Sequence, residues 1–587
     1  MPGDIISLFR ARLSHEKGTA IKDWGGKVSV ALAYPNHYRL GMSNLGFQVV
    51  YHLLNQRTDV VAERVFLPEG HEMSLLLQAG GSLISLESQR RLSKFDLIAF
   101  SLSFENDYPN ILKILELGKI PLLSEQRPPG CPFVVAGGIT TFLNPEPLSS
   151  FMDFFLLGEA ESNLNQMLDH FSEYKGLYSD RKKIIRNLSQ NVTGLYAPSL
   201  YQPEYNDDGT IKSFSPRESM VPAKIKVCRS ACDQVQVSKI TTPETEFGDR
   251  ILIELGRGCG RSCRFCAAGF VYRPPRIHPK TDLMNAVQSA LKTNTQLGLL
   301  ASNVSDIPGI EAITAKIVEN GGSFSVSSLR ADTLTQAFLS HLAAAGQKTL
   351  AIAPEAGSDR LRRAINKHLT KEQIIDSIKL IASTEDFAIR LYFLIGLPTE
   401  TNDDIEALVD LVKVIKHHMV KQSAPRGRIG QIRLSINCFV PKPFTPFQWF
   451  CLEDMRILKE RQKRLKKELG KEGGVKVNFD VAKWAYIQAL LSTGDRRVGS
   501  ILLKAHSLKG DWTKALKFSE INPDFFVYRP RGIDETLPWD FVDNGIEKSH
   551  LAKEYRLSLE AKESEICHVG KCYRCGVCKK ERIHYII

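Results

Sequence analysis

GRGCGRSCRFC, residues 256–266, follows directly on the apolar run Ile251, Leu252, Ile253, Glu254, Leu255 and sets Cys259, Cys263 and Cys266 at C-x3-C-x2-C spacing. The run predicts a short buried strand. Gly256, Gly258 and Gly260 then let the backbone leave that strand in a loop able to wrap a ligand closely. Three thiolates on one short loop can hold three irons of a [4Fe–4S] cluster and leave the fourth iron without a protein ligand. An open coordination position marks a catalytic rather than a structural metal. The competing reading of the same thiols is a zinc site completed by a distant fourth residue.

Phe265, an aromatic directly before the third cysteine, completes a pattern that resembles the signature of the radical SAM superfamily. The resemblance implies that the free iron chelates S-adenosylmethionine (SAM). It implies further that an electron from the cluster splits SAM into methionine and a 5′-deoxyadenosyl radical, with a donor such as flavodoxin or ferredoxin as partner.

Downstream, apolar runs predict strands at 297–301, 324–326, 349–353, 389–395 and 432–436, with helical patterns at 371–382 and 403–417. With the strand before the cysteines these make six strand–helix units. They predict a parallel partial (β/α)6 barrel over residues 245–445, its chemistry at the C-terminal strand ends. Polar residues recur at those ends. Ser302 and Asp306 follow the second strand, where the superfamily binds the amino group of SAM. Arg330 follows the third strand, and Glu355 and Arg360 follow the fourth. Gly396 follows the fifth, where family members pack a glycine against the adenine. An aminoacyl zwitterion needs an acceptor for its ammonium, for which Asp306 or Glu355 would serve, and a cation for its carboxylate, for which Arg330 or Arg360 would serve. Each also reads as a capping or salt-bridge residue.

Upstream, strands predicted at 28–33, 95–101, 133–136 and 153–157 alternate with helices. That alternation predicts an α/β, doubly wound, Rossmann-like domain over residues 1–160, with ligands bound beyond the carboxyl ends of its strands. The layout resembles the cobalamin-binding domains that precede many radical SAM cores, and Ser43, Ser101, Gly137 and Gly138 fall in the loops of such a crevice. Those domains often carry Asp-x-His-x-x-Gly after the first strand, its imidazole bound to cobalt. Here the nearest histidine, His37, lacks the Asp, and its spacing to Gly41 does not restore the motif. Cobalamin held without a histidine and a different ligand are both open. Residues 161–244 read as a connector, in which Cys228 and Cys232 are two thiols short of a metal site.

Residues 446–587 form an expected α-rich extension. The exit FVPKPFTPFQW, residues 439–449, resembles a segment found after the core in methylthiotransferase-like radical SAM proteins; it also reads as a rigid packed linker. The following helix carries Arg456, Lys459, Arg461, Lys463, Arg464, Lys466 and Lys467, either a phosphate-binding face or a solvated one balanced by Glu453, Glu460 and Glu468; Arg496 and Arg497 form a similar basic patch. Cys567, Cys572, Cys575 and Cys578, spaced C-x4-C-x2-C-x2-C, suit a second [4Fe–4S] cluster or a structural zinc. Their compactness favours the cluster, because zinc ribbons usually pair two knuckles across a longer gap.

A chain of 587 residues carries roughly three or four domains. With 43% hydrophobic and 24% charged residues it has the composition of a soluble globular protein. The first residues lack a signal-peptide shape and no apolar run reaches about 18 residues, so a cytoplasmic protein with no membrane partner is expected. Seven of the twelve cysteines sit in two tight clusters, the distribution of metal ligands rather than disulfides. The net charge of +12 favours an anionic partner such as RNA.

The order of these parts resembles a branch of radical SAM proteins with a cobalamin-binding-like N-terminal domain and a C-terminal cysteine cluster. Its cores are sometimes fused to, or encoded beside, a small radical-SAM-linked domain, which here would be a separate partner protein. The expected function is SAM cleavage to methylate or methylthiolate RNA or a ribosomal or other translation protein. The alternatives are a non-catalytic iron–sulfur or RNA-binding assembly factor and a radical enzyme for a small metabolite.

Overall fold

β1 (Val28–Tyr34) is buried at every residue, as a strand covered by helices on both faces must be. In the computed structural model, which describes residues 4–581, it lies inside a six-stranded sheet. The others are β2 (Val60–Phe66), β3 (Leu97–Ser101), β4 (Phe133–Gly137), β5 (Phe154–Leu156) and β6 (Leu195–Tyr196), in the order β2-β1-β3-β4-β5-β6. All pairings are parallel except β5 with β6. β2 was not among the predicted strands, because Glu63 and Arg64 interrupt its apolar run. Both charges are satisfied internally: Arg64 donates to Glu87 at 2.7 Å and Glu16 at 2.6 Å, and Glu63 accepts from the Trp24 indole at 2.7 Å. β6 carries this sheet past residue 160 into the predicted connector. There β7 (Tyr201–Tyr205) and β8 (Ile211–Pro216) form an antiparallel hairpin, and β9 (Ile225–Lys226) pairs with Val542–Asp543 near the C-terminus.

The core begins with β10 (Ile251–Glu254). β11 (Gly256–Arg257) and β12 (Arg276–Ile277) pair antiparallel and close the neck of the cysteine loop. Then come β13 (Gln296–Leu300), β14 (Ser323–Val326), β15 (Ser328–Leu329), β16 (Thr349–Glu355), β17 (Ala388–Ile395), β18 (Ile432–Cys438) and β19 (Val475–Phe479). They form two parallel sheets, β10-β13-β14 and β15-β16-β17-β18-β19, joined through Ser327 between β14 and β15. All six predicted core strands are present. β15 and β19 are additional, and β19 comes from the predicted extension, so the sheet continues beyond residue 445.

These strands alternate buried and half-buried residues. The buried set, which includes Ile352, Ile389, Leu391, Phe393 and Leu434, joins one core with residues of the helices Lys371–Thr384 and Asn402–Ser423; the alternate set faces the barrel interior.

The proline-rich exit packs as a linker: Trp449 and Phe447 are buried, and Lys442 reaches Glu105 of the first domain at 2.6 Å. Two basic features differ from their surface reading. Arg461 is buried and donates to Glu400 at 2.7 Å and Glu453 at 3.1 Å. Arg496 donates to Glu146 at 2.8 Å and so ties the C-terminal helices to the first domain, while Arg497 donates to the neighbouring Asp495 at 2.6 Å. Among the described residues no helix is long and apolar enough to cross a membrane.

Candidate functional site

The cysteine loop is shaped by glycines at its neck. A Cβ on Gly256 would meet the Arg276 carbonyl oxygen at 2.8 Å, and one on Gly258, at φ +82°, would meet that of Tyr272 at 2.7 Å. Beyond the neck, Arg264 locks the loop from inside: fully buried, it donates to Glu554 at 3.1 Å, the Ala364 carbonyl at 2.8 Å and the Lys562 carbonyl at 2.8 Å. Asn366 donates to the Ser262 carbonyl at 3.2 Å and Arg273 to the Ser262 hydroxyl at 2.7 Å. Phe265 packs on an apolar cluster with Leu361, Ile365 and Phe447.

Burial pushes the Cys266 thiol up to about 12 and raises Cys259, with nearby thiols adding to the effect. Such thiols keep their protons at neutral pH until a metal cation displaces them. Among the described residues no three His, Cys, Asp or Glu side chains converge tightly enough to hold a single ion. A [4Fe–4S] cubane takes each thiolate on a different iron and does not need its ligands to meet at one point. The loop's three thiols, fixed backbone and apolar backing fit such a group.

The tail quartet comes to this loop. The Cys567 amide donates to the Gly260 carbonyl at 2.7 Å, and a cavity of about 350 Å³ is lined by Cys259, Arg261, Ser302, Asn303, Asp306 and Cys567 among others. Cys575 and Cys578 are buried. Burial raises Cys567 to about 11, whereas at Cys572 the Arg574 guanidinium, 3.2 Å away, outweighs burial and lowers the thiol. The sequence showed two cysteine groups; it gave no sign that they meet.

The predicted SAM contacts divide. Ser302 lines the cavity, and Asp306 lines it with both carboxylate oxygens taken by Arg261, at 2.6 and 2.7 Å. Arg330 is turned to Asp332 at 2.8 Å and to the Lys367 and His368 carbonyls. Glu355 accepts from Lys367 at 3.1 Å, and Arg360 is held by Asp404 and the Thr399 carbonyl. Gly396, at φ +76°, lies against Leu458 and Glu453, and its amide donates to Glu400 at 2.7 Å. Asn303 was not predicted: it is buried in the cavity wall and its amide nitrogen has no partner.

A second, larger cavity of about 590 Å³ lies between the first sheet and the barrel. Ser101, Gly137 and Gly138 line it from the ends of β3 and β4, and Gly256, Gly258, Ala301 and Ser302 line both cavities. Ser43 stands outside it, its hydroxyl donating to the Arg39 carbonyl at 2.6 Å. No histidine lines this cavity, and His37 is engaged with the Leu67 carbonyl at 3.0 Å. At its rim Arg257 joins both domains, reaching Glu159 at 3.0 Å, Glu161 at 2.9 Å and Glu254 at 2.8 Å.

A cysteine loop at the C-terminal end of the first barrel strand, facing a cavity edged by the next strand's end, defines a class of protein, and comparison with known proteins agrees. Residues 253–412 match the model of the radical SAM superfamily, and residues 46–198 match that of the N-terminal region of radical SAM proteins. An uncharacterized protein of Methanocaldococcus jannaschii is 30% identical over 478 residues, 81% of this chain and 90% of that one. The chain belongs to the radical SAM superfamily and is an enzyme of it. A tRNA-2-methylthio-N(6)-dimethylallyladenosine synthase of Clostridium beijerinckii is 24% identical over 212 residues, 32% of this chain and 47% of that one, so the match spans about half of that relative. Among solved structures, the radical S-adenosylmethionine methyltransferase TsrM of Kitasatospora setae, with cobalamin and a [4Fe–4S] cluster bound, aligns with a TM-score of 0.44 at 14% identity, over 72% of this chain and 74% of that one.

Proposed function

We propose that the enzyme cleaves SAM at a [4Fe–4S] cluster held by Cys259, Cys263 and Cys266 and uses the radical to methylthiolate RNA or a ribosomal or other translation-related protein. The observation that carries this reading is the meeting of the two cysteine groups, Cys567 bonded to Gly260 and sharing a cavity wall with Cys259. A sulfur-inserting enzyme needs a second metal group beside the first, and the tail quartet would hold it as a second [4Fe–4S] cluster or a zinc. A cluster held by Cys259, Cys263 and Cys266 would supply the electron for reductive cleavage of SAM. The chain's own residues orient and shield: Asn303 offers an unpaired amide to the ligand, Arg261 neutralises Asp306, and residues 566–569 cover one side of the cavity. The match to a tRNA methylthiolating enzyme supports the substrate class. The enzyme would work in the cytoplasm with a flavodoxin or ferredoxin as donor.

One observation favours methyl transfer instead. The 590 Å³ cavity is edged by Gly137 and Gly138 and is mostly apolar, a space suited to part of a broad ring cofactor such as cobalamin, with no imidazole at hand for its metal. The test is anaerobic reconstitution with iron and sulfide, followed by SAM and a reductant. About eight irons per chain with formation of 5′-deoxyadenosine are expected, or about four irons if the tail holds zinc. Bound cobalt would favour methylation, and absence of 5′-deoxyadenosine with the cluster verified would end the radical reading.

A further inference from the structure

Three cations stand side by side on the inner face of the barrel sheet, and among the described residues no acid pairs with them. The strand register pairs Arg390 with Arg433 and Arg433 with Lys476, so they form one row across β17, β18 and β19. They lie on the face opposite Ile389, Leu391, Leu434 and Val477, which belong to the core shared with the surrounding helices, and so face the interior. Arg390 and Arg433 are half-buried and Lys476 is exposed. Among the described residues none of the three has an acidic partner; Arg433 donates only to the Gln431 side chain, at 2.9 Å. The arginines around the cysteine loop, by contrast, meet carboxylates: Arg257, Arg261, Arg264, Arg276 and Arg330.

The row lies near the N-terminal ends of its strands, and β17 runs from it toward the end that carries the cysteine loop. Leu394, on the same face of β17, packs on the apolar cluster that also takes Phe265. Arg390 is four residues earlier on that strand, roughly 13 Å below at about 3.3 Å per residue. The intervening row is Tyr392, Ser435 and Asn478, polar and uncharged at neutral pH. Like charges on adjacent strands repel, so the row is unfavourable until an anion enters.

We propose that Arg390, Arg433 and Lys476 bind phosphate of the substrate, so that the molecule modified at the cysteine loop is a phosphate-bearing one. This rests on the reading of that loop as the reacting site. A carboxylate is satisfied by one bidentate arginine. Three cations spanning about 10 Å across strands spaced about 4.8 Å apart match the oxygens of a nucleotide phosphate or of successive phosphodiesters.

The test is fluorescence anisotropy of the full chain with a labelled single-stranded RNA oligonucleotide, set beside inorganic pyrophosphate and a mononucleotide as competitors. R390Q/R433Q/K476Q is expected to bind at least about tenfold more weakly, with the salt slope reduced by about two, near 0.7 for each lost contact. K476Q alone, on an exposed strand residue, gives a smaller slope change and keeps the test readable if the triple variant does not fold. R456Q, at an exposed residue paired with Asp454, leaves binding within about twofold. Competition by pyrophosphate and mononucleotide at the oligonucleotide's own affinity assigns a small phosphorylated substrate; weak competition assigns a polynucleotide. Binding of all three probes unchanged in both charge-removing variants, or preference for an acidic peptide over every phosphate probe, overturns the proposal. The binding is read without cluster or SAM, so its failure and a failure of SAM cleavage are separate results.

Discussion

The first sheet, parallel except at β6, and the parallel barrel sheets are both flanked by helices, yet their strands carry opposite patterns. β1 reads VSVALAY with all seven residues buried, whereas β17 reads AIRLYFLI with buried and half-buried residues in alternation. A sheet covered on both faces offers ligands only its strand ends, here Ser101, Gly137 and Gly138. A barrel strand offers a whole face. The proposed function accordingly draws on the barrel's inner face and strand ends, with the first domain lining one wall of the larger cavity.

The sharpest way to break this comparison is Cys263→Ala, which should reduce 5′-deoxyadenosine formation to background and remove about four irons per chain while the first sheet stays folded. Loss of the whole fold instead would make the loop a structural element. Next, Cys572→Ser with Cys575→Ser should remove the second metal and the methylthiolated product, read by metal analysis and mass spectrometry, while SAM cleavage continues.

Lys442→Met should cost about 3–5 kcal/mol by leaving Glu105 buried without its partner. Burial pushes the Glu105 carboxyl up, but Lys442 and Gln488 outweigh it and hold the group below its ordinary 4.5. A lowered pKa in the folded state adds stability that is complete above pH 4.5 and lost as pH falls through the lowered value. Thermal melts against pH should show that acid limb in the natural chain and a flatter one in Lys442→Met.

Ile98→Ala, at a fully buried position of β3, should cost about 2–5 kcal/mol, while Ser435→Ala in the barrel interior should stay within about 0.5 kcal/mol. Equal losses at the two positions in thermal melts would show that the interior is packed like the first sheet.

Sequence made much of this legible where one physical signal dominated. β1, β3 and β4 were readable as apolar runs, and the cysteine loop by spacing and its preceding strand. β2 was hidden because Glu63 and Arg64 break the run, their partners Trp24, Glu87 and Glu16 being far along the chain. β19, VKVNF, was hidden because its period-two pattern is short and follows a proline-rich exit; that alternation was the signal available. Arg496 looked like a surface cation because Glu146 is 350 residues away. The SAM-contact candidates lie at or just beyond strand ends, but ion pairing decides which of them line the cavity, and no local pattern reports that.

Arg264 reaches the Lys562 carbonyl 298 residues later, so the cysteine loop is synthesised long before the segment that covers it. At about 5–20 residues per second on the ribosome, that separation is roughly 15–60 seconds. During this interval the loop stands without the tail that later borders its cavity through Ile566, Cys567 and Val569.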